Sequence, residues 1–156
     1  MKRTQSRTGH IVILIFISHF LSLLSHAQLG KPISPPDPKK EILGIWEGFM
    51  ADADGTRHGD IKLEITADTI TASNPQGGQL MGAGTYKLSG MTNKTKRMDA
   101  KGTSGQFAGK NYEGIFTIEG KTLKWCSAND NPRSKRPTTL KTNVQAGQFL
   151  MILEKK

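Results

Sequence analysis

The strongest constraint on the fold is an alternation of apolar and polar side chains, with a period of two residues, that runs through the chain after Gly44. In the segment 60–66 the apolar residues occupy every second position, as Ile61, Leu63 and Ile65. Such alternation is typical of a strand that buries one face. Because no apolar pattern of helical period follows Gly44, the chain is predicted to be all-β.

Further segments with the same alternation are separated by short stretches rich in Gly, Asn and Asp. The segment 112–125 predicts a hairpin that turns at residues 119–121 and carries Tyr112, Phe116 and Trp125 on its apolar face. About eight strands with short connections indicate a small antiparallel barrel or a sandwich. Besides the segment 60–66, the predicted strands are Ile45–Ala51, Thr69–Ser73, Gly84–Ser89, Arg97–Lys101, Asn111–Glu119, Thr122–Ala128 and Gly147–Glu154.

Residues 1–27 have the pattern of a secretory signal peptide. Three basic residues and no acidic one precede an apolar run at 11–24, and small residues stand at Ser25 and Ala27, before a cleavage site. A membrane-spanning helix needs about 20 apolar residues, so this run predicts a cleaved signal and not an anchor in the mature chain. No Cys follows the cleavage site, which argues against a lipid anchor. We expect export to the periplasm or the exterior, with cleavage near Ala27.

A proline-rich stretch separates the predicted signal from the predicted domain. Four of the ten residues 29–38 are proline, which excludes a helix interior or a central strand and indicates an extended tether. Asp37 is a candidate helix N-cap with Pro38 at the first helical position, so one short helical turn is predicted over Lys39–Leu43, before Gly44. The predicted organisation is a signal peptide (1–27), a tether (28–38) and a β-domain (39–156).

The net charge and the cysteine count limit the partners and the binding sites that this chain is expected to have. The formal net charge is +9, of which a third lies in the signal, so +6 is left on the mature chain. The chain has one Cys, which excludes a disulfide scaffold, a zinc site of several thiolates and a CxxC redox pair. We expect this residue, Cys126, to be a small buried apolar side chain, with an intermolecular disulfide as the alternative.

Two sets of residues resemble known families. Gly44-Ile45-Trp46, directly after the predicted helical turn, resembles the lipocalin G-x-W signature, whose Trp closes one end of an eight-stranded barrel. Further motifs then follow in order: Gly84–Leu88, Lys96–Asp99, Tyr112–Cys126 (Y-x-G-I-F-x-I-x-G-x-T-L-K-x-C), Arg136–Thr138 and Phe149–Leu153. Over residues 41–155 this series resembles an uncharacterised family of small secreted bacterial proteins with a lipocalin-like β-domain. The resemblance implies a lipocalin-like (calycin-type) barrel and an exported location, but no activity and no catalytic residues.

No constellation of residues predicts catalysis, a metal site or a cofactor. His58, the one His after the signal, lies in a Gly-flanked segment without a nucleophile motif and is interpreted as a solvated loop residue. The acidic segment 52–60 has Gly at its fourth position and no Glu at its twelfth, so it predicts a hairpin turn and not a calcium loop. Glu47, Glu64 and Glu113 are expected to face outward and pair with lysines.

Two basic clusters, at 94–101 and 133–136, flank predicted turns and contain no aromatic residue. Nucleic-acid binding is therefore not expected, because single strands are bound by basic residues interleaved with aromatic ones. The clusters are interpreted as solvated loops, with attraction to anionic glycans or lipid headgroups as the alternative.

Three functional hypotheses follow from the predicted barrel, of which the last, an enzyme such as a hydrolase, has no catalytic constellation in the sequence to support it. The first is an exported, non-enzymatic domain that binds a small apolar or amphipathic ligand in the barrel mouth. The alternative is a structural or protein-interaction domain of the cell envelope with a filled core. A cavity open to solvent would favour the first. The candidate lining residues are Trp46, Tyr86, Tyr112, Phe116 and Trp125.

Overall fold

Eight antiparallel strands close into a barrel in the computed structural model of the chain, which describes residues 37–52, 54, 56–92, 95–130 and 134–156. Each strand pairs with its neighbours in the chain, and the first also pairs with the last. A short helix, α1 (Pro38–Ile42), precedes the barrel. The strands are β1 (Gly44–Ala51), β2 (Arg57–Ile65), β3 (Thr69–Ser73), β4 (Leu80–Thr92), β5 (Thr95–Gly105), β6 (Asn111–Glu119), β7 (Thr122–Ala128) and β8 (Gln148–Lys155).

The predicted all-β, eight-stranded barrel is confirmed, and closure by β1 and β8 excludes the sandwich. Asp37 as N-cap and Pro38 at the first helical position are confirmed, and the helix ends at Ile42, one residue before the predicted Leu43; the Asp37 side chain accepts a hydrogen bond from Lys39 N at 3.0 Å. β4 and β5 are longer than predicted, at 13 and 11 residues. Glycines interrupt the apolar pattern there, and the backbone pairing continues past them with a register shift between Ala83 and Gly84: Gly82, Gly84, Gly102 and Gly105.

The predicted signal peptide, and the tether up to residue 36, lie outside the described residues. Both are therefore still predictions, and so is the exported location that depends on them. Within the part of the chain that the structure describes, no helix combines the length and apolar character needed to cross a bilayer.

Trp46 and α1 close one end of the barrel. The Trp46 side chain is fully buried, and its Nε1 donates a hydrogen bond to the Ile42 carbonyl at 2.7 Å. Lys155 Nζ lies 5.1 Å from the centroid of the Trp46 ring and donates to the Glu41 carbonyl at 3.0 Å. Lys96 Nζ reaches the Glu41 carboxylate at 2.9 Å. The helix is thus held against the barrel by hydrogen bonds and ion contacts from three directions.

The interior next to Trp46 is filled by large side chains. These residues face inward at alternate positions of their strands, as the sequence pattern predicts, and all are nearly or completely buried. They belong to one contiguous apolar cluster with Trp46. The largest are Leu63, Ile65, Met98, Phe116, Leu123 and Leu153. This end of the barrel is therefore a packed core.

Residues 134–143, which we call the outer strap, lie over the outer face of the barrel between β7 and β8. Leu140 packs on a small second apolar cluster formed by Ile115, Cys126 and Leu150. Arg136 crosses β6 to reach Asp99 on β5, to which its Nη2 donates at 2.9 Å. The strap therefore buries an apolar patch that a barrel would otherwise expose.

Arg136 is not the solvated loop residue that its basic cluster suggested. Its side chain is half-buried, and its Nη1 also donates to the Gly114 carbonyl at 3.0 Å. Hydrogen bonding to Asp99 raises the pKa of the guanidinium above its already high ordinary value, so Arg136 carries its positive charge.

Cys126 lies beneath the outer strap and is fully buried, in agreement with its interpretation as a small apolar side chain. Its Sγ donates a weak hydrogen bond to the Lys141 carbonyl at 3.6 Å. Burial raises the pKa of the thiol to about 11. The reactive thiolate is therefore scarce near neutral pH, and reagents reach the thiol only when the strap opens.

The hydrogen bond of Trp46 is expected to contribute measurably to stability. Trp46→Phe should lower the free energy of unfolding by about 1 kcal/mol more than Trp125→Phe, because each deletes the same atoms but only Trp46 donates to a carbonyl. Urea denaturation of both variants measures the difference. Equal losses would contradict a stabilising role for this hydrogen bond.

The ion pair between Arg136 and Asp99 is expected to control access to Cys126. Arg136→Ala should increase the rate at which a thiol reagent labels Cys126 at pH 8 by about ten- to a hundredfold, since one charged hydrogen-bonded contact is worth about 1.5–3 kcal/mol. The matched control is Arg57→Ala, which removes an arginine paired with Asp60 elsewhere on the surface. Similar labelling rates for both variants would show that this ion pair does not hold the strap closed.

Candidate functional site

A cavity of about 320 Å³ occupies the end of the barrel opposite α1 and is open to solvent. Its described lining includes the end of β1, Ile61 and Leu63 of β2, the start of β4, the end of β5 and the starts of β6 and β8. Most of this lining is apolar, with Met50, Ile61, Ile70 and Met151 among its side chains. The volume falls at the lower end of the range found for small-molecule sites.

One wall of the cavity is made of residues with little or no side chain. These residues face inward on β3, β4 and β5 at positions where larger side chains would fill the barrel. Two pairs lie directly across from one another, Ala72 with Gly82 and Gly84 with Gly102, and Ala100 follows in the same layer. The cavity exists because the closed sheet keeps its diameter while this layer supplies almost no volume.

Four aromatic rings also line the cavity, and we call them the aromatic arc. Phe107 meets Tyr112 with ring centroids 6.1 Å apart, and Tyr112 meets Phe149 at 6.0 Å. Phe149 in turn meets Trp125 at 6.2 Å. All three contacts are edge-to-face, with interplanar angles of 83°, 79° and 74°, the arrangement that aromatic rings favour.

Phe107 reaches the arc from the turn between β5 and β6, and glycines make room for it. A Cβ on Gly102 would lie 1.7 Å from the Phe107 carbonyl oxygen, and one on Gly82 would lie 2.7 Å from the Phe107 ring. The turn is closed by hydrogen bonds from Lys110 N to the Phe107 carbonyl and from Gly109 N to the Gly102 carbonyl, both at 3.0 Å. Glycine at these positions lets the turn fold back across the rim.

Of the five predicted lining residues, the structure places two, Tyr112 and Trp125, at the cavity. Trp46 and Phe116 lie in the packed end of the barrel, where both are completely buried. Tyr86 faces inward below the cavity, and its hydroxyl donates to the Thr66 carbonyl at 2.7 Å. Alternation identifies the inner face of a strand, but it does not specify the height of a residue along the barrel axis.

Two aromatic residues of the arc were absent from the predicted lining. Phe149 lies in a segment whose alternation predicts a strand, so its inward direction was available from the pattern. Phe107 lies in a turn, where no periodicity indicates that its ring lines the interior. Burial raises the pKa of the Tyr112 hydroxyl, and the nearby charge of Asp130 adds to this effect, so the phenol is neutral in the site.

The residues considered for catalysis or metal binding lie outside the cavity lining. His58 is in β2, not in a loop, and its Nε2 contacts the carboxylate of Asp52. Glu113 lies 3.6 Å from Arg136, and Glu47 lies 3.1 Å from Lys156. Glu64, also predicted to face outward, is exposed. Among the described residues, no group of three or more His, Cys, Asp or Glu converges in a way that could hold a metal ion.

Comparisons with known proteins find a similar solved structure but no family. No family model matches the sequence, and no curated protein matches it. Among solved structures, a redesigned beta barrel aligns with a TM-score of 0.47 at 13% sequence identity, covering 76% of this chain and 94% of that chain.

The position of Phe107 and its turn is expected to depend on Gly102, on which the Phe107 backbone packs. Gly102→Ala should lower the free energy of unfolding by about 1–3 kcal/mol, because the new methyl group meets backbone that cannot move without breaking the turn. Gly77→Ala is the matched control, since a Cβ there meets nothing within 4 Å. Thermal or urea unfolding compares the two, and equal stability would contradict the close approach.

Proposed function

We propose that this chain is an exported, non-enzymatic barrel that binds a small apolar or amphipathic ligand in its mouth. The observation that carries the proposal is the open cavity of about 320 Å³ lined by the aromatic arc and by the small residues of β3, β4 and β5. An eight-stranded barrel is just wide enough either to be filled by its own side chains or to hold one small ligand. The size of the inward residues decides between these outcomes, and at this end they leave space.

The cavity suits a ligand of modest size. A water molecule occupies about 30 Å³ of liquid and a methylene group takes a similar volume, so the space accommodates about ten non-hydrogen atoms. Apolar atoms that leave water for this lining are stabilised by about 25 cal/mol for each Å² buried. The aromatic arc adds faces and edges on which a flat or branched apolar group can pack.

Three features support the other two parts of the proposal, export and a non-enzymatic role. The N-terminal pattern at 1–27 favours export. Cys126, the single thiol, is buried beneath the outer strap, which suits a domain that folds in an oxidising compartment without a disulfide partner. His58 and Glu113, considered above as catalytic groups, lie outside the described cavity lining, which favours binding over catalysis.

The alternative, a structural or protein-interaction domain, predicts an interior filled to the normal packing density of proteins. The packed end around Trp46 has that character, but the mouth does not. Leu80, at the start of β4, is 60% exposed and is the feature that an interaction surface would use. A single exposed leucine is common on soluble proteins and does not favour that function over ligand binding.

The test is binding of 1-aminonaphthalene, a fluorescent apolar molecule of suitable size. Wild-type protein should bind it saturably at one molecule per chain, and Ala72→Met should weaken binding at least tenfold by filling the cavity with a flexible apolar side chain. The matched control is Thr71→Met, at the neighbouring position that points to the outer face of the same strand.

Saturable binding that Ala72→Met removes and Thr71→Met retains would support the proposal. Absence of saturable binding to the wild-type chain would contradict it. If native mass spectrometry of protein purified from its own cells then showed a protein partner and no small molecule, the interaction alternative would be favoured.

A further inference from the structure

Phe107 is the one apolar residue of the described cavity lining that does not belong to a strand. It lies in the turn at residues 106–110, which joins β5 to β6 and which we call the rim turn. Its side chain is half-buried and lines the cavity. The register of the barrel fixes the inward side chains of the strands, whereas the backbone of the rim turn sets the position of this ring.

The Phe107 side chain fills space that two glycines leave empty. A Cβ on Gly82 would lie 2.7 Å from Cδ2 of the ring, and a Cβ on Gly102 would lie 2.8 Å from Phe107 Cβ. Both glycines line the cavity. A side chain supplied by the turn therefore takes the interior volume that side chains at positions 82 and 102 would otherwise take, and it narrows the cavity there.

The ring stands at one end of the aromatic arc. Among the described residues, Phe107 has one aromatic neighbour, Tyr112, with 6.1 Å between the ring centroids. Tyr112 and Phe149 have two such neighbours each. Removal of the Phe107 ring therefore leaves the contacts of Phe149 with Tyr112 and with Trp125 in place, so the rest of the arc keeps its arrangement.

The rim turn is held by backbone hydrogen bonds that do not involve the Phe107 side chain. Gly102 N donates to the Lys110 carbonyl at 2.9 Å, which closes the turn across its base. Gln106 N donates to the Met81 carbonyl at 3.0 Å, which ties the turn to β4. The frame of the mouth is therefore expected to persist when the side chain at position 107 is shortened.

The volume of the Phe107 ring is large compared with the cavity. At about 30 Å³ for each non-hydrogen atom, the cavity of about 320 Å³ holds about ten atoms, the size of two fused aromatic rings. A phenyl ring contributes about six more atoms and therefore about 180 Å³. Because the glycines on which Phe107 packs also line the cavity, the volume of the ring adjoins the open volume. Without this ring, three fused rings would fit.

We infer that Phe107 sets the upper size of the ligand, so that the site takes compact apolar molecules of up to two fused rings and excludes larger rigid ones. This inference rests on the proposed function and adds the size class of the ligand and the residue that determines it. The small residues of β3, β4 and β5 provide the space, and the rim turn returns part of that space to the protein.

Three aromatic amines that are uncharged at neutral pH test the limit in the wild-type chain: aniline, 1-aminonaphthalene and 1-aminoanthracene, with one, two and three fused rings. Burial of a further ring strengthens binding by about tenfold where the site has room for it. Wild-type protein should bind 1-aminonaphthalene about tenfold more tightly than aniline, but 1-aminoanthracene at least about tenfold more weakly than 1-aminonaphthalene. An affinity that rises again with the third ring would overturn the inference.

Phe107→Ala removes the ring and should open the site to the largest probe. We expect the affinity for 1-aminoanthracene, relative to that for 1-aminonaphthalene, to rise at least about tenfold. Ala108→Gly is the matched control, since it alters the exposed next residue of the rim turn and keeps the ring, and it should leave the ratio within about twofold. A ratio that stays unchanged in Phe107→Ala, or that rises equally in Ala108→Gly, would overturn the inference while leaving the proposed function standing.

Phe107→Leu is a second variant that keeps an apolar group over Gly82 and loses less packing. Its ratio should lie between those of wild-type protein and Phe107→Ala. If circular dichroism shows that Phe107→Ala does not fold, Phe107→Leu decides alone: a rise of about threefold supports the inference, and an unchanged ratio overturns it. Absence of saturable 1-aminonaphthalene binding to wild-type protein is a different result, which would overturn the proposed function and the inference with it.

Discussion

The pairing of β1 with β8 is the interaction on which the rest of the structure depends. It joins the two ends of the sheet, so every strand has a partner on both sides and the barrel diameter is set by strand number and stagger. Gly48 permits the close approach, because a Cβ there would lie 2.0 Å from the Ile152 carbonyl oxygen. A closed sheet cannot collapse around missing side chains, and inward residues therefore decide which parts of the interior are filled.

The two ends of the barrel show the two outcomes of this rule. Near Trp46 the inward residues are large, and the indole, the helix and Lys155 together seal the end. Near the mouth, Ala and Gly face inward on three adjacent strands, and the Phe107 ring of the aromatic arc packs on Gly82 while part of the interior stays open. Stability and the candidate binding site thus come from opposite ends of one sheet, so substitutions at the mouth can change the cavity without removing the packed core.

The candidate site was predictable from the sequence only in part. Tyr112 and Trp125 could be found because hairpin alternation places both on the inner face of β6 and β7. Trp46, Phe116 and Tyr86 share that face but lie deeper, and alternation carries no information on depth. Phe107 could not be found, since its ring reaches the interior from a turn. Arg136 could not be assigned to Asp99 either, because this contact joins residues far apart in the chain.

The sequence by itself determined the two-residue alternation of apolar and polar side chains, the inward and outward sides of most strands, and the absence of a disulfide scaffold. The first two properties depend on neighbouring residues, so a short segment is enough to infer them, and the third follows from the single cysteine. Only the tertiary structure decided that the sheet closes, which inward residues share a layer, and that one end of the barrel is packed while the other keeps a cavity. These depend on the stagger between strands distant in sequence, and stagger is a property of the closed barrel that no single strand encodes.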